Sequence, residues 1–294
     1  MISRETLKQF KPNHQYFIGF DSDGCVFDSM ELKHKECFIP NIIKYYKLQS
    51  VSKYARETAE FVNLYSYWRG VNRFPALIKT FELLIARPEV RHRHLVLDDW
   101  SPIQNFIDAA PSLGNPALKE LAAKTNDPVL KHLLAWSEAV NRDIEDMVKG
   151  LPPFPFVCES LKKLNGNADT MVVSATPAKA LHREWAEHDI DKYVSIIAGQ
   201  EIGKKEDQLA LTAKGKYAVG HILMVGDAFG DLAAARSAEA MFYPIVPGQE
   251  DRSWKIFHDE IVELFFCGKY TTGIEKDFLN EFGKALPNIA PWQH

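Results

Sequence analysis

The sequence predicts an α/β protein: a parallel sheet with helices on both faces, and an all-helical domain inserted after the first strand. Short, continuous apolar runs that stop at polar turn residues occur near the start of the chain and again after residue 165. Runs of this kind are typical of strands buried on both faces. The region between them contains long amphipathic stretches and few strand-like runs, which indicates helices.

Five apolar runs are the candidate strands, and predicted helices separate the last four of them. Strands alternating with helices of about ten residues favour a doubly covered parallel sheet, the Rossmann-like arrangement. The predicted strands are Tyr16–Phe20, Thr170–Ser174, Val194–Ala198, Ile222–Val225 and Met241–Ile245. The predicted helices are Phe156–Leu164, Pro177–His188, Glu206–Tyr217 and Asp231–Glu239. Pro244 suits the end of a strand or the edge of a sheet.

The insertion is the predicted cap domain, residues 30–149. Residues 1–29 and 150–294 are predicted to form the α/β core, which ends in a C-terminal helical extension of two helices after residue 250. An insertion of about 120 residues is large enough to enclose its own apolar core. Its amphipathic stretches are Glu31–Lys47, Tyr54–Trp68, Phe74–Arg87 and Val129–Lys149.

Composition excludes several classes of protein. Hydrophobic residues make up 46% and charged residues 25% of the 294 residues, values that exclude general disorder. A net charge of −4 argues against a nucleic-acid partner bound through bulk positive charge, and no apolar run is long enough for a membrane helix. The first residues are polar, without the apolar centre typical of a signal peptide, and the four cysteines are widely spaced. We therefore expect reduced thiols and a cytoplasmic location; the oligomeric state is left open.

Acidic residues follow two of the predicted strands. Asp21 and Asp23 come directly after the first strand, and Asp227 and Asp231 follow Ile222–Val225. Ligands of open parallel sheets bind at the carboxyl ends of the strands, where these carboxylates would repel one another unless a cation neutralised them. Hard oxygen ligands favour Mg²⁺, and two adjacent carboxylates can serve as nucleophile and proton carrier. The alternatives are an ordinary Asp-x-Asp-Gly turn and, for Asp231, a helix cap.

Two further strand ends have residues suited to an anion. Ser174 ends a predicted strand before a helix, where a hydroxyl and free backbone N–H groups can bind phosphate, although serine is also an ordinary N-cap there. Lys204 and Lys205 open the next predicted helix. Lysine is unfavourable at a helix N-terminus on dipole grounds, so its presence there indicates anion binding. Exposed lysines with no such role are the alternative.

In this order the four motifs resemble those of the haloacid dehalogenase (HAD)-like hydrolase superfamily, in its phosphatase-type members with an inserted helical cap. The first motif is Phe20-Asp-Ser-Asp-Gly-Cys-Val-Phe-Asp-Ser29, the second ends at Ser174, the third contains Lys204-Lys205 and the fourth is Gly226-Asp-Ala-Phe-Gly-Asp231. The match covers residues 16–29 and roughly 155–246. One departure is Cys25, where the superfamily usually has threonine; this substitution affects a local hydrogen bond and no catalytic group.

The resemblance implies a function for each motif. Asp21 would attack a phosphoryl group to form an aspartyl-phosphate, and Asp23 would protonate the leaving oxygen and then activate water. Mg²⁺ would be bound by Asp21, the backbone carbonyl of Asp23 and Asp227, with Asp231 in the same acidic group. Ser174 and Lys205, preferred to Lys204 for its spacing from Gly203, would hold the phosphate oxygens.

The expected protein is a Mg²⁺-dependent phosphohydrolase acting on a small phosphorylated metabolite. A phosphomutase of the same superfamily is the alternative. A phosphonate hydrolase, which would need a Schiff-base lysine from the cap, and a catalytically silent binding protein are weaker ones.

The cap of such an enzyme would contact the leaving group. Arg69 and Arg73 flank Gly70 and are the candidate substrate-binding residues because a guanidinium can bind an anion bidentately. Surface arginines beside a helix–helix turn are the alternative.

Overall fold

The computed structural model describes residues 2–293, which divide into two compact units. The α/β unit contains residues 2–30 and 150–286, and the helical unit contains residues 31–149 and 287–293. The boundaries near residues 30 and 149 lie within one residue of those expected from the sequence. The last residues differ, because they group with the helical unit and not with the core.

Five parallel strands form one sheet in the α/β unit, with the order β3-β2-β1-β4-β5. This confirms the predicted α/β class and all five predicted strands. β5 is an edge strand that ends at Pro244, as its proline suggested. The strands are β1 (Tyr16–Phe20), β2 (Ala168–Val173), β3 (Ile196–Ala198), β4 (Ile222–Gly226) and β5 (Met241–Pro244).

Helices account for most of the remaining chain. The predicted stretch Glu31–Lys47 is a helix with a π-helical segment at Lys33–Phe38, and a second π-helical segment lies at Phe257–Ile261. None of the helices within residues 2–293 combines the length and apolar character needed to cross a membrane.

The α-helices are α1 (Arg4–Gln9), α2 (Ser29–Leu32), α3 (Ile39–Tyr45), α4 (Ser52–Leu64), α5 (Arg73–Ala86), α6 (Pro88–Arg91), α7 (Ser101–Ala109), α8 (Asn115–Thr125), α9 (Pro128–Met147), α10 (Val157–Leu164), α11 (Ala178–Glu187), α12 (Lys205–Thr212), α13 (Phe229–Ser237), α14 (Glu250–Ile256), α15 (Val262–Phe266) and α16 (Thr272–Ala285).

Alternate side chains of the strands pack against helices on opposite faces of the sheet. On one face Phe20 and Val225 share a core with residues of α10, α11, α14 and α15. On the other face Phe17 and Met224 share a core with residues of α1, α12, α13 and α16. Because both faces are covered, the strands have the continuous apolar character that identified them in the sequence.

The helical unit encloses a separate apolar core in which Phe74, Phe81 and Trp136 are fully buried. α5 and α9 contribute these rings, and α6, α7 and α8, which the sequence patterns did not single out, complete the packing between them.

The C-terminal segment packs on this unit. The Tyr67 N–H donates to the carbonyl of Pro287 (3.0 Å), Ala290 is fully buried, and the Trp292 ring lies 4.1 Å from the Arg87 guanidinium. The expectation that residues up to 294 belong to the core is therefore corrected for residues 287–293. His294 lies outside the described residues.

Candidate active site

Three buried carboxylates meet where β1 and β4 end. The Asp21 N–H donates to the carbonyl of Val225 (3.0 Å), which continues the β1–β4 pairing by one residue beyond the strand. This places Asp21 beside Asp227, the residue that follows β4. One carboxylate oxygen each from Asp21, Asp227 and Asp231 lies within 4.8 Å of the others, and all three residues are at most 5% exposed.

Asp231 is positioned by the backbone of the turn that precedes α13. Its Oδ2 accepts hydrogen bonds from the N–H groups of Asp227 (3.1 Å) and Ala228 (3.0 Å). Gly226 permits this close approach, since a Cβ at that position would lie 2.4 Å from the Cβ of Asp231. Asp231 therefore has the capping role raised from the sequence, while its Oδ1 lies 2.7 Å from Lys205 Nζ.

Lys205, in the first turn of α12, is the cation of this group. Its Nζ lies 2.8 Å from Asp21 Oδ2 and 2.7 Å from Asp231 Oδ1, whereas Lys204 is exposed. Burial lowers the pKa of Lys205, but the carboxylates of Asp21 and Asp231 outweigh it and hold the pKa above its usual value. The contacts of Lys205 with the two carboxylates favour the charged ammonium, and this is the lysine that reaches the nucleophile candidate.

The charge at this edge suits a divalent cation. Three carboxylates and one ammonium leave two negative charges in a buried space. Burial raises the pKa of Asp21 well above its usual range; Lys205 lowers it in part, and Asp231 and Asp227 raise it further. Such a group of hard oxygen ligands fits Mg²⁺, which would restore the ionised form of Asp21.

Asp23 is held apart from these three residues by two hydroxyl groups. Its Oδ2 accepts from Thr176 Oγ1 (2.6 Å), and its Oδ1 accepts a short hydrogen bond from Ser29. The following residue, Gly24, has φ of 77°, a conformation that favours glycine. The chain thereby turns back after Asp23, and the carboxylate is oriented by both the first and second motifs.

Ser174 directly follows β2 and is 2% exposed. Its Oγ accepts from the N–H of Thr176 (3.1 Å), so the hydroxyl orders the turn between β2 and α11. Thr176 and Ser29 were not identified as site residues from the sequence. The only available signal was a hydroxyl within two residues of Ser174 and one at the end of the first motif, which is too common a feature to single them out.

Cys25, the departure from the superfamily pattern, is fully buried. Its Sγ lies 3.7 Å from the carbonyl of Val225, and its own carbonyl accepts from the Trp254 indole N–H (2.7 Å). Burial raises the pKa of the thiol well above its usual value. Cys25 is therefore a neutral packing residue that keeps a weak contact with β4.

In the helical unit, Arg69 lies between α4 and α5, and Arg73 is the first residue of α5. Arg69 is 3% exposed, and its Nη1 donates to the carbonyl of Leu64 (2.9 Å). Arg73 donates to Ser137 Oγ (2.9 Å) and Asn141 Oδ1 (2.7 Å), and burial lowers its pKa to about 10. Arg69 is therefore not a surface arginine, and the half-buried Arg73 links α5 to α9.

No protein-family model and no curated protein sequence matches the chain. Among solved structures, it is similar to a HAD-superfamily hydrolase, subfamily IA, variant 1, from Geobacter sulfurreducens PCA. The two share 17% identity over 83% of this chain and 90% of that one, with a TM-score of 0.40.

Two further solved structures are similar at the same level. A predicted phosphoglycolate phosphatase from Haemophilus somnus 129PT shares 16% identity over 79% of this chain and 86% of its own, with a TM-score of 0.44. A predicted phosphatase from Clostridium acetobutylicum shares 14% identity over 86% of this chain and 100% of its own, also with a TM-score of 0.44. At these identities and TM-scores the similarity assigns no substrate, metal or catalytic residue to this chain.

Proposed function

We propose that this protein is a Mg²⁺-dependent phosphohydrolase that acts on a small phosphorylated metabolite through an aspartyl-phosphate on Asp21. The observation that carries the proposal is the surroundings of Asp21. Asp21 is a buried carboxylate at a strand end, in contact with Lys205 and beside Asp227 and Asp231. Asp23, two residues later, is held by hydrogen bonds from other residues, the hydroxyls of Thr176 and Ser29.

In the first half of the reaction Asp21 is the nucleophile. One of its oxygens forms a bond to phosphorus while the bond from phosphorus to the leaving oxygen breaks. Asp23, protonated at this stage, donates its proton to the leaving oxygen. The hydroxyls of Ser29 and Thr176 hold the Asp23 carboxyl in one orientation during this transfer.

In the second half Asp23 is the base. Its carboxylate takes a proton from a water molecule, whose oxygen bonds to phosphorus as the bond to Asp21 breaks. Inorganic phosphate leaves, and Asp21 is again a carboxylate. Lys205 and Ser174 are the proposed partners of the phosphoryl oxygens, because a fixed positive charge and a positioned hydroxyl stabilise the charge that develops during transfer.

The proposed metal ligands are Asp21, the backbone carbonyl of Asp23, and Asp227, with Asp231 in the same acidic group. When bound, Mg²⁺ would supply charge neutralisation between the carboxylates and the substrate phosphate. The oxygens of Asp231 accept hydrogen bonds from Lys205 and from two backbone N–H groups. We therefore propose that Asp231 contributes its negative charge and holds the Lys205 ammonium in position.

A phosphomutase is the second candidate, because the same pair of aspartates would transfer the phosphoryl group back to another hydroxyl of the substrate. A phosphonate hydrolase needs a Schiff-base lysine, which we do not assign in the helical unit. A silent binding protein has no need of the complete set of Asp21, Asp23, Lys205 and Asp227.

All four cysteines are free, which supports the proposed cytoplasmic location.

The proposal is tested by release of inorganic phosphate from p-nitrophenyl phosphate and from a panel of phosphorylated metabolites, with Mg²⁺ and with a chelator. We expect turnover only with Mg²⁺, and a higher kcat/KM for one class of metabolite. A mutase would isomerise its metabolite and release little phosphate. Absence of turnover on every ester, or equal turnover in chelator, would contradict a metal-dependent phosphohydrolase.

A further inference from the structure

Gln208, one turn into α12 from Lys205, has a side-chain amide with no exposure to solvent and four hydrogen bonds. Its Oε1 accepts from the N–H of Ser174 (3.1 Å). Its Nε2 lies within hydrogen-bond distance of three carbonyl oxygens, those of Ser174 (2.9 Å), Gly199 (3.1 Å) and Gly203 (3.1 Å). All four of these hydrogen-bond partners are backbone groups.

These backbone groups belong to three separate parts of the site. Ser174 follows β2, Gly199 follows β3, and Gly203 lies two residues before Lys205. The Ser174 N–H also contacts the carbonyl of Ala198 (3.2 Å), so Gln208 reinforces the point where the β2–β3 pairing ends. One side chain therefore connects both strand ends with the turn that leads into Lys205.

A side-chain amide suits this environment. Its oxygen accepts from the Ser174 N–H, which also contacts the Ala198 carbonyl, and its two N–H donors are shared among the three carbonyl oxygens. A carboxylate would place negative charge against three carbonyl oxygens. An apolar side chain would remove these four hydrogen bonds, and any buried backbone group that it left without a partner would cost more free energy than a hydrogen bond gains.

We propose that Gln208 is a positioning residue that fixes Ser174 relative to Lys205, the two groups proposed to hold the phosphoryl oxygens. This inference rests on the proposed function for its catalytic meaning, while the connection of the strand ends is independent of it. Phosphoryl transfer depends on the placement of charge and hydrogen-bond donors more than on bond chemistry by the protein. A small shift between the two groups therefore weakens phosphate binding without removing either group.

The test compares Gln208→Met with Thr212→Val. Met keeps the length of the side chain and removes its hydrogen bonds. Thr212 is equally buried one turn further along α12, and its Oγ1 donates to the carbonyl of Gln208 (2.8 Å), so its replacement removes a buried hydrogen bond without touching the strand ends. Gln208→Asn, which retains the amide on a shorter chain, is used in addition if the Met variant does not fold.

The readouts are inhibition by inorganic phosphate, the KM and kcat for p-nitrophenyl phosphate, and amide hydrogen exchange. We expect Gln208→Met to raise the inhibition constant of phosphate and the KM by about ten- to a hundredfold relative to Thr212→Val, with a smaller change in kcat. We also expect faster exchange at residues 174–176 and 199–205 in the Gln208 variant alone.

Equal phosphate inhibition and equal exchange in the Met and Val variants would overturn the inference, since Gln208 would then only stabilise α12. If the wild-type protein hydrolyses no phosphate ester, the proposed function fails instead. The exchange measurement then still shows whether Gln208 holds the two strand ends, because it needs no substrate.

Discussion

At the scale of single residues, Asp21 is the group on which the proposed chemistry depends. Asp21→Asn keeps the shape of the side chain but makes it a far weaker nucleophile, so we expect turnover of an aryl phosphate to fall by several orders of magnitude. The folded structure should be retained, which circular dichroism checks. Asp28→Asn, an exposed aspartate of the same motif, is the control and should stay within a few-fold of wild type. Activity of Asp21→Asn within tenfold of wild type would exclude Asp21 as the nucleophile.

The raised pKa of Asp21 makes the effect of Mg²⁺ dependent on pH. Without metal, burial favours the protonated carboxyl, so this group's contribution to stability is present at low pH and is lost as pH rises through its folded pKa. Mg²⁺ binds the ionised carboxylate and only the folded protein, and therefore opposes this loss. We expect the Tm increase caused by millimolar Mg²⁺ to be larger at about pH 8 than at about pH 5.5.

Differential scanning calorimetry at the two pH values, with and without Mg²⁺, measures this difference directly. The Asp227→Asn variant is the comparison, because it keeps Asp21 and removes a proposed ligand, and its Mg²⁺-dependent shift should be smaller. A Tm shift that does not change with pH would argue against direct binding of the cation to Asp21.

The two adjacent lysines provide a matched pair. Lys205 contacts Asp21 and Asp231, and Lys204 is exposed, although they differ by one position. We expect Lys205→Met to lower kcat/KM by about a hundredfold or more, since it removes a preorganised charge from the site. Lys204→Met should change it less than threefold or so, in line with an exposed side chain. Equal effects of the two substitutions on kcat/KM would contradict the proposal that Lys205 holds the phosphoryl oxygens.

At the scale of secondary-structure elements, the strand ends could be predicted and the links between them could not. The apolar runs identified β1 and β4, and with them the placement of Asp21 beside Asp227, because a buried parallel strand has a distinctive composition. Thr176 and Gln208 make their contacts with residues 153 and 34 positions away. Such contacts depend on how far neighbouring strands and helices are shifted along one another, and the hydrophobic periodicity of the sequence does not specify this shift.

The two arginines near the break between α4 and α5 are expected to have different roles. Arg73 is engaged by Ser137 and Asn141 of α9, so we expect Arg73→Ala to lower the Tm and to reduce turnover of the best metabolite and of an aryl phosphate equally. Arg69 remains the proposed contact to the leaving group. Arg69→Ala should reduce kcat/KM for the metabolite by about ten- to a hundredfold. It should spare the aryl phosphate, whose leaving group lacks the anionic or polar atoms that the arginine would bind.

Steady-state kinetics on both substrates, together with thermal unfolding, separate these outcomes. Equal loss on both substrates in Arg69→Ala would show that this arginine also has a packing role. A selective loss on the metabolite in Arg73→Ala, with an unchanged Tm, would restore Arg73 as a substrate-binding residue.

At the scale of the whole molecule, the chain enters the helical unit twice. Residues 31–149 do so as the insertion, and residues 287–293 return to it after α16. The insertion was evident in the sequence as a change from strand-like to helical patterns. The return was not, since the tail is too short to show periodicity and its attachment depends on a partner ring and a cation distant in sequence.

The attachment of this tail can be measured. The Trp292 ring lies over Arg87 and edge-on to Phe61, and Arg87 also forms an ion pair with Glu57 (2.7 Å). We expect Trp292→Ala to lower the free energy of unfolding of the helical unit by about 1–3 kcal/mol. Ile289→Ala, in the same tail but 50% exposed, is the control, with an expected change of about 0.5 kcal/mol or less. Indistinguishable denaturation curves for the two variants would show that Trp292 does not anchor the tail.

The identity of the covalent intermediate tests the whole account most directly. Protein quenched in acid during turnover of a ³²P-labelled ester, then digested and mapped by mass spectrometry, reports which side chain bears the phosphoryl group. The account predicts hydroxylamine-sensitive label on Asp21, formed only with Mg²⁺ and absent from Asp21→Asn. Label on another residue, or rapid phosphate release with no covalent label in wild-type protein, would contradict it.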